Sequence, residues 1–572
     1  MLIRIFVSLL LLLWLPCTWS QARLDIVVTP ANKAIKENIQ AYIGSLEDYD
    51  EDALQRYRRT ALSMAHKASE ALGYYQNSYQ VTTVPGKKPT LRIEVALAEP
   101  VRLRKVDIQV LGEAGQLPVF TEFADERLQT GAILHHGAYE DLKSKLQQYA
   151  LRYGFFMAKF TQQRLEIDPE MGAADISLHF DSGPRYYLGA VEFSEQSWIE
   201  PQLLNRLVPF KEGDAYNSAV LARLSQNLQA TGYFEQIRVD AVGEPEGPLL
   251  VPVRVSLQPV KPRTFGVGAG FSTDIGPRAR FNWEQPRINK YGHKLGFETE
   301  WSEPQQNVTG WYAIPLEAPL TDQLRFVSGY QREEYMDAQS RRYTYGAQWH
   351  KHVGHDWQRV AGLRWDEERY DYGRAQPEKR SQFLLPSLGF SKLKSDSAID
   401  PSVGYRLQAD ISGAKQDVFA DADVLHVSAL VRGLITLADK HRFLGRTQVG
   451  AIATNNYARI PPSLRFFAGG DQSVRGYDYQ SLSPRDEYRN RIGGRYLFAQ
   501  SVEYQYSLTD TWRIASFVDR GNAVENWTDA MKTGVGVGVR WVSPIGPLRL
   551  DWAHALNDDR GWRIHFSMGP EL

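Results

Sequence analysis

The chain has 572 residues, with 66 Lys plus Arg against 67 Asp plus Glu, one cysteine and 14 tryptophans. Charged residues make up 23% and the mean hydropathy is −0.40. These values exclude a disordered chain, which would be less apolar and aromatic, a bundle of membrane-spanning helices, which would be less polar, and a strongly basic nucleic-acid binder. One cysteine excludes a disulfide framework and a multi-cysteine zinc site.

The chain opens on Arg4, an apolar run from Ile5 to Leu15, then Pro16, Cys17, Thr18, Trp19 and Ser20. This order reads as a secretory signal peptide over residues 1–21, with cleavage after Ser20 or Ala22. The apolar run falls short of the ~20 residues that span a bilayer. Pro16 stands where a lipoprotein signal wants a small residue, which argues against lipid attachment at Cys17. Without this segment the mature chain has no cysteine, as suits an oxidising compartment.

A short motif then recurs, as Gly73-Tyr74-Tyr75, Gly154-Phe155-Phe156 and Gly232-Tyr233-Phe234. Each copy ends a helical pattern. Tyr57, Ala61, Met64 and Ala68 share a face in the first, Leu142, Leu146 and Tyr149 in the second, and Leu221, Leu224 and Leu228 in the third. Glycine suits the left-handed end of a helix, and the aromatic pair is expected to pack back under it. Ala138-Tyr139 and Ala215-Tyr216 are expected to open two of the helices alike. Strand patterns follow at Leu91–Leu97, Ala174–Phe180 and Leu250–Leu257, ending at Pro100, Pro184 and Pro259. New strands start at Val101 and Tyr186. Each unit thus reads strand, helices, strand, strand.

This series resembles POTRA domains, the periplasmic modules of outer-membrane insertion proteins. The resemblance implies a β-α-α-β-β fold and an exposed sheet edge able to pair with an extended strand. The expected domains are 22–98, 99–183 and 184–261, followed by a barrel over 262–572.

From Thr264 the helical period disappears. Sixteen strands are expected, at 265–273, 277–285, 291–301, 305–315, 321–335, 339–352, 355–371, 379–391, 400–415, 422–437, 440–454, 493–508, 510–519, 533–542, 545–556 and 561–569. Trp562, Ile564, Phe566 and Met568 alternate with Arg563, His565 and Ser567; Val502, Tyr504 and Tyr506 alternate with Ser501, Glu503 and Gln505. The even count, strands long enough to cross at a tilt, and eleven tryptophans at or beyond Trp283 favour an antiparallel transmembrane barrel with aromatic girdles over a soluble sandwich. By parity, the long connection 455–492 is extracellular.

That connection contains Gly469-Gly470-Asp471-Gln472-Ser473-Val474-Arg475-Gly476-Tyr477. Phe517, Asp519 and Gly521 form an F-x-D-x-G strand motif. Both resemble the motifs of the outer-membrane insertase and two-partner-secretion superfamily. The resemblance implies that the Val474, Arg475, Gly476, Tyr477 loop folds into the lumen and that Arg475 pairs with Asp519, a bidentate match of guanidinium and carboxylate. The alternating glycines Gly534, Gly536 and Gly538 are strand residues, not a phosphate loop. Gly266, Gly268 and Gly270 do the same in the first strand. Where that strand meets the last one, with Trp562, Ile564, Phe566 and Met568, a weak seam would be a lateral gate.

The number of repeats, the Val474–Tyr479 stretch and the Gly569-Pro570-Glu571-Leu572 ending resemble the TamA family, the outer-membrane subunits of translocation and assembly modules. This resemblance implies a Gram-negative outer-membrane factor that assembles outer-membrane proteins such as autotransporters. It also implies unfolded outer-membrane protein clients, a TamB-like inner-membrane-anchored periplasmic partner and outer-membrane lipid, with no cofactor and no nucleic acid. A two-partner secretion transporter is the alternative. His350, His352 and His355 cluster near one periplasmic turn, where a metal site has little support. Neither His-Glu-x-x-His nor Gly-x-Ser-x-Gly occurs, so an enzyme is not expected.

Overall fold

The computed structural model describes residues 22–569, apart from 87, 123–124, 195–197, 242–246, 355, 374–375, 545 and 557–560. The signal peptide expected over 1–21, His355, and Pro570, Glu571 and Leu572 lie outside the described residues.

Three small α/β repeats come first. They run β1 (Arg23–Thr29), α1 (Lys33–Ile43), α2 (Glu51–Glu70), β2 (Ser78–Val84), β3 (Thr90–Ala96); then β4 (Arg102–Leu111), α3 (Pro118–Thr121), α4 (His136–Tyr153), β5 (Lys159–Asp168), β6 (Ala173–Asp181); then β7 (Tyr187–Phe193), α5 (Pro201–Asn205), α6 (Ser218–Ala230), β8 (Phe234–Asp240), β9 (Leu250–Pro259). The sheet orders are β1-β3-β2, β4-β6-β5 and β7-β9-β8. In the first two the central strand is parallel to one neighbour and antiparallel to the other. Asn32 and Asp50 cap α1 and α2 by accepting from the Ile35 and Ala53 N–H groups. Ile35 and Ile39 of α1 and Leu54, Ala61 and Ala65 of α2 are buried with Leu91, Ile93 and Val95 of β3.

The three motif glycines have φ of 88°, 82° and 71°, a conformation that glycine adopts without strain. They also permit close approach. A Cβ on Gly73 would sit 2.6 Å from Leu134 O, and one on Gly154 2.5 Å from Tyr216 Cβ. The aromatic pairs divide their work instead of both packing under their own helix. Phe155 is buried in its own repeat, whereas Phe156 packs edge-on against Tyr186 and Tyr216 at 5.1 and 4.9 Å. Tyr75 Oη likewise reaches forward to His136 Nε2 at 2.5 Å.

Ala215-Tyr216 does not open a helix. Asn217 Oδ1 accepts from the Ala219 N–H at 2.9 Å, and α6 starts at Ser218. Tyr216 remains outside, where its N–H donates to Tyr186 O at 3.0 Å.

Sixteen strands follow: β10 (Thr264–Ser272), β11 (Gly276–Gln285), β12 (Lys294–Trp301), β13 (Gln305–Pro315), β14 (Asp322–Glu334), β15 (Ala338–Val353), β16 (Trp357–Tyr372), β17 (Lys379–Ser395), β18 (Val403–Ala414), β19 (Val424–Leu437), β20 (His441–Thr454), β21 (Tyr496–Ser507), β22 (Trp512–Val524), β23 (Lys532–Ser543), β24 (Gly546–Ala555) and β25 (Trp562–Met568). They form one sheet in sequence order with antiparallel neighbours. β22 runs five residues past the expected end at 519, because Gly521–Val524 continue to pair with β21. β12 starts at Lys294 rather than 291, because Asn289 Oδ1 accepts from the Tyr291 and His293 N–H groups and folds that segment into a turn.

Alternation sorts the two faces. On β25, Trp562 and Ile564 are exposed while His565 and Ser567 are buried; on β21, Val502 is exposed while Ser501, Glu503 and Gln505 are buried. An apolar outside and a charged inside is the inverse of a soluble core and the signature of a membrane barrel. Trp301, Trp512, Trp541, Trp552 and Trp562 are among its exposed aromatics.

The chain divides into two compact units. One comprises the described residues up to Glu192 with Phe210–Ala222 and Val239–Arg254. The other comprises Phe193–Pro209, Arg223–Arg238 and the barrel from Val255 onward. Within the second unit, segments of the third repeat grip two barrel turns. Tyr233 Oη donates to Gly292 O at 2.8 Å, Lys294 Nζ to Thr231 O at 2.7 Å, and Lys290 pairs with Glu200 at 2.9 Å. Arg206 Nη1 reaches Leu316 O at 3.3 Å. Both turns join an even barrel strand to an odd one, so the 455–495 connection, between the eleventh and twelfth strands, leaves from the opposite end.

Candidate functional site: a lumenal loop beside an open seam

The connection between β20 and β21 turns inward. Val474 is fully buried and Tyr477 nearly so, in an apolar cluster with Ile452, Leu464, Phe466 and Leu497. Arg475 is at the centre. Its Nε and Nη2 donate to the two oxygens of Asp519 at 2.8 and 3.0 Å, and its backbone N–H also donates to Asp519 Oδ2, at 3.0 Å. The guanidinium lies 3.3 Å above the Phe517 ring, a cation–π contact. Nη1 donates to Glu503 Oε2 at 2.7 Å and to Asp551 Oδ2 at 3.0 Å, and Nη2 to Ser501 Oγ at 3.2 Å.

Arg540 completes this cluster. It donates to Glu503 Oε1 through Nε and Nη2, at 3.1 and 2.7 Å, and to Asp551 Oδ1 at 2.7 Å. Three carboxylates and two guanidinium groups are thus buried together, and every acid is shared or doubly bonded, which buried charges require. Glu503, Arg540 and Asp551 were not singled out from the sequence. Their signal was the period: all three are ionisable residues at inward positions, on β21, β23 and β24.

The alternating glycines make room for this loop. A Cβ on Gly534 would collide with Arg475 O, one on Gly536 would lie 2.5 Å from Phe517 Cζ, and one on Gly538 would strike the Asp551 carboxylate. Gly476 has φ of 93° and its N–H donates to His565 Nε2 at 2.9 Å. Gly521 pairs with Ala499 inside β22.

The two ends of the sheet, β10 and β25, form no ladder with one another among the described residues. Among the described residues their hydrogen bonds are confined to one place: Thr273 N–H donates to Phe566 O at 3.0 Å, and Phe566 N–H donates to Thr273 Oγ1 at 3.1 Å. Phe271 and Phe566 are 5.8 Å apart on the outer face. Gly266, Gly268 and Gly270 alternate with exposed Phe265, Val267 and Phe271. Trp562, Ile564, Phe566 and Met568 share the outer face of β25.

The lumenal loop holds both sides of this seam. Asp471 N–H donates to Asp274 Oδ2 at 2.6 Å, in the turn after β10. Gly476 holds His565 of β25, and Asp478 pairs with Arg563 of the same strand. With Nε2 accepting, the His565 proton sits on Nδ1, which faces Asp274 Oδ1 at 3.7 Å.

Burial and the neighbouring Asp274 carboxylate push the Asp471 carboxyl up to about 7 from 3.8. A raised carboxyl binds its proton more tightly when folded, so its contribution falls as pH rises towards 7. Asp471→Asn is therefore expected to flatten the loss of thermal stability between pH 5 and pH 8 in detergent. An unchanged pH profile in the variant would refute this coupling.

His350 and His352 bond Gln348 and Gln358, at 3.1 and 3.0 Å. Among the described residues no group of three His, Cys, Asp or Glu side chains is arranged to hold a metal.

Small periplasm-type α/β modules joined to an antiparallel membrane barrel with an inward loop define an outer-membrane assembly-type architecture. Residues 254–571 match the Omp85 superfamily domain, and the chain belongs to that superfamily. Residues 25–97 match the POTRA domain described as TamA domain 1, and 186–258 match POTRA, surface antigen variable number repeat. The chain is 25% identical over 454 residues to the outer membrane protein assembly factor BamA of Nitratidesulfovibrio vulgaris, covering 74% of this chain and 56% of that protein. Over 571 residues it is 21% identical to BamA of Neisseria meningitidis serogroup B, covering 84% and 68%. The chain thus spans little more than half the length of the first relative. The crystal structure of BamA from Haemophilus ducreyi lacking POTRA domains 1–3 superposes with a TM-score of 0.69 at 16% identity, covering 82% of this chain and 99% of that one, a likeness of fold. The barrel lies in the outer membrane, with the POTRA domains in the periplasm.

Proposed function

We propose that this chain assembles outer-membrane β-barrel proteins, autotransporters among them, by offering the β10 edge to an incoming strand. The observation that carries the reading is the seam. In hydrocarbon each unsatisfied backbone group costs several kcal/mol, and among the described residues β10 presents an edge with hydrogen bonds to β25 only around Thr273. A client strand that pairs there satisfies those groups and its own, so strand addition supplies the driving force and no nucleotide is required. The names of the relatives, all assembly factors, support the same activity.

The match of the first domain to a TamA POTRA favours the specialised role, with a TamB-like periplasmic partner docked on a POTRA sheet edge and outer-membrane lipid as a second cargo. Deleting the gene is expected to reduce folded autotransporters, measured as heat-modifiable bands, with the wild-type gene restoring them. An unaltered outer-membrane protein profile would sink the proposal. Recovery of a TamB-like protein by cross-linking from the first POTRA separates the specialised role from a general one.

A further inference from the structure

Beside the Arg475 cluster, the lumen holds arginines that the assembly reading does not use. Arg406, Arg432 and Arg446 stand side by side on β18, β19 and β20, in direct register. Like charges placed opposite one another on a sheet are destabilising. Arg549 of β24 faces the same space, and its charge and that of Arg406 both act on Arg432.

Their partners are few. Arg446 Nη2 donates to Ser473 O at 2.6 Å, and Arg432 Nη2 reaches Gln472 Oε1 only at 3.5 Å. Arg406 and Arg549 make no hydrogen bond or ion pair among the described residues, and the Nε atoms of Arg432 and Arg549 are buried without an acceptor. The acids nearby are committed elsewhere or outnumbered. Glu503 and Asp519 are bonded to Arg475 and Arg540, leaving Asp471 among the loop residues. Arg432, Arg446, Arg549 and Arg475 line one cavity of about 60 Å³ with two acids, Asp471 and Glu503, the latter already bonded to Arg475 and Arg540. At roughly 10–15 Å³ per water-sized position, that is room for about four to six heavy atoms.

We propose that this cavity is a binding site for a phosphate-class oxyanion. A tetrahedral oxyanion offers enough acceptors for several guanidinium forks at once, and would supply the charge that the arginine ladder lacks. Two sources share this chemistry: free phosphate, and the phosphomonoester headgroup of a lipid.

The test uses the purified full chain in detergent at constant ionic strength. Inorganic phosphate replacing chloride is expected to raise the unfolding temperature saturably, by about 2–4 °C. Arg432→Gln with Arg549→Gln is expected to abolish that shift while leaving the chain folded in chloride, since like charges are removed. No shift in the wild type, or an equal shift in both proteins, overturns the site. A second arm uses micelles doped with phosphatidic acid. A shift at lipid concentrations far below the effective phosphate concentration identifies the headgroup as the ligand, and an equal requirement identifies free phosphate. If the double variant fails to fold, Arg549→Gln alone, which also lines the cavity, is used, with the same loss of response expected.

Discussion

Arg475→Ala is expected to loosen the lumenal loop more than Asp519→Ala, and the double variant is expected to be hardly worse than Arg475→Ala. The ordering follows from the charge count. Removing Asp519, which is fully buried, leaves two carboxylates facing Arg475 and Arg540, a balanced set. It still costs the bidentate pair and the acceptor of the Arg475 backbone N–H. Removing Arg475 instead leaves Glu503, Asp519 and Asp551 with Arg540 as the remaining guanidinium of the set. Breaking a buried pair from one side costs about 3–5 kcal/mol, and here the surplus negative charge adds to that. The two side chains share one interaction, so the coupling in a double-mutant cycle should reach about 1–3 kcal/mol. The measurement is urea unfolding in detergent, with protease cleavage within 455–495 as a local readout. Additive losses in the double variant would show that the two residues do not act as a pair.

How much of this site the sequence discloses depends on which physical rule places each residue. The barrel strands were legible because period-2 alternation separates an apolar face from a polar one, as at Trp562–Met568, where Arg563, His565 and Ser567 make the polar face. The seating of Arg475 on Asp519 rested on motif resemblance, since 44 residues and the whole of β21 separate them and no local rule connects the pair. Glu503, Arg540 and Asp551 were visible as inward-facing charges but not as a cluster, because which inward charges meet depends on strand stagger, and stagger is not local. The same holds for the arginine ladder, which exists only through the register Arg406↔Arg432↔Arg446. The helix start at Ser218 was missed for a different reason. Ala-Tyr repeats by chance, whereas the capping side chain is Asn217, one residue later. The forward reach of Tyr75 and Phe156 was hidden because a periodic pattern reports burial without saying in which repeat a side chain is buried.

Locking the seam is expected to abolish client assembly while leaving the barrel folded. Thr273→Cys with Phe566→Cys places two thiols where the sheet ends make a reciprocal contact, with N–H···O distances of 3.0 and 3.1 Å. Cys17 is the only cysteine of the sequence, so no other thiol in the barrel competes. The native seam is weakly held among the described residues. Two such hydrogen bonds contribute about 1–3 kcal/mol net, against the nine paired positions that join β10 to β11 on its other side. Thermal opening is therefore expected to be more frequent on the β25 side of β10 than on its β11 side. The lumenal loop also contacts both sides of the seam, at Asp274, His565 and Arg563. A disulfide replaces this contact with a covalent one and removes the free edge. Oxidised protein should fail to fold an unfolded β-barrel client in proteoliposomes, and reductant should restore the activity in the same sample, which separates gating from misfolding. Assembly at the wild-type rate with the disulfide formed would mean that clients do not enter between β10 and β25, and the strand-addition reading would then have to be abandoned.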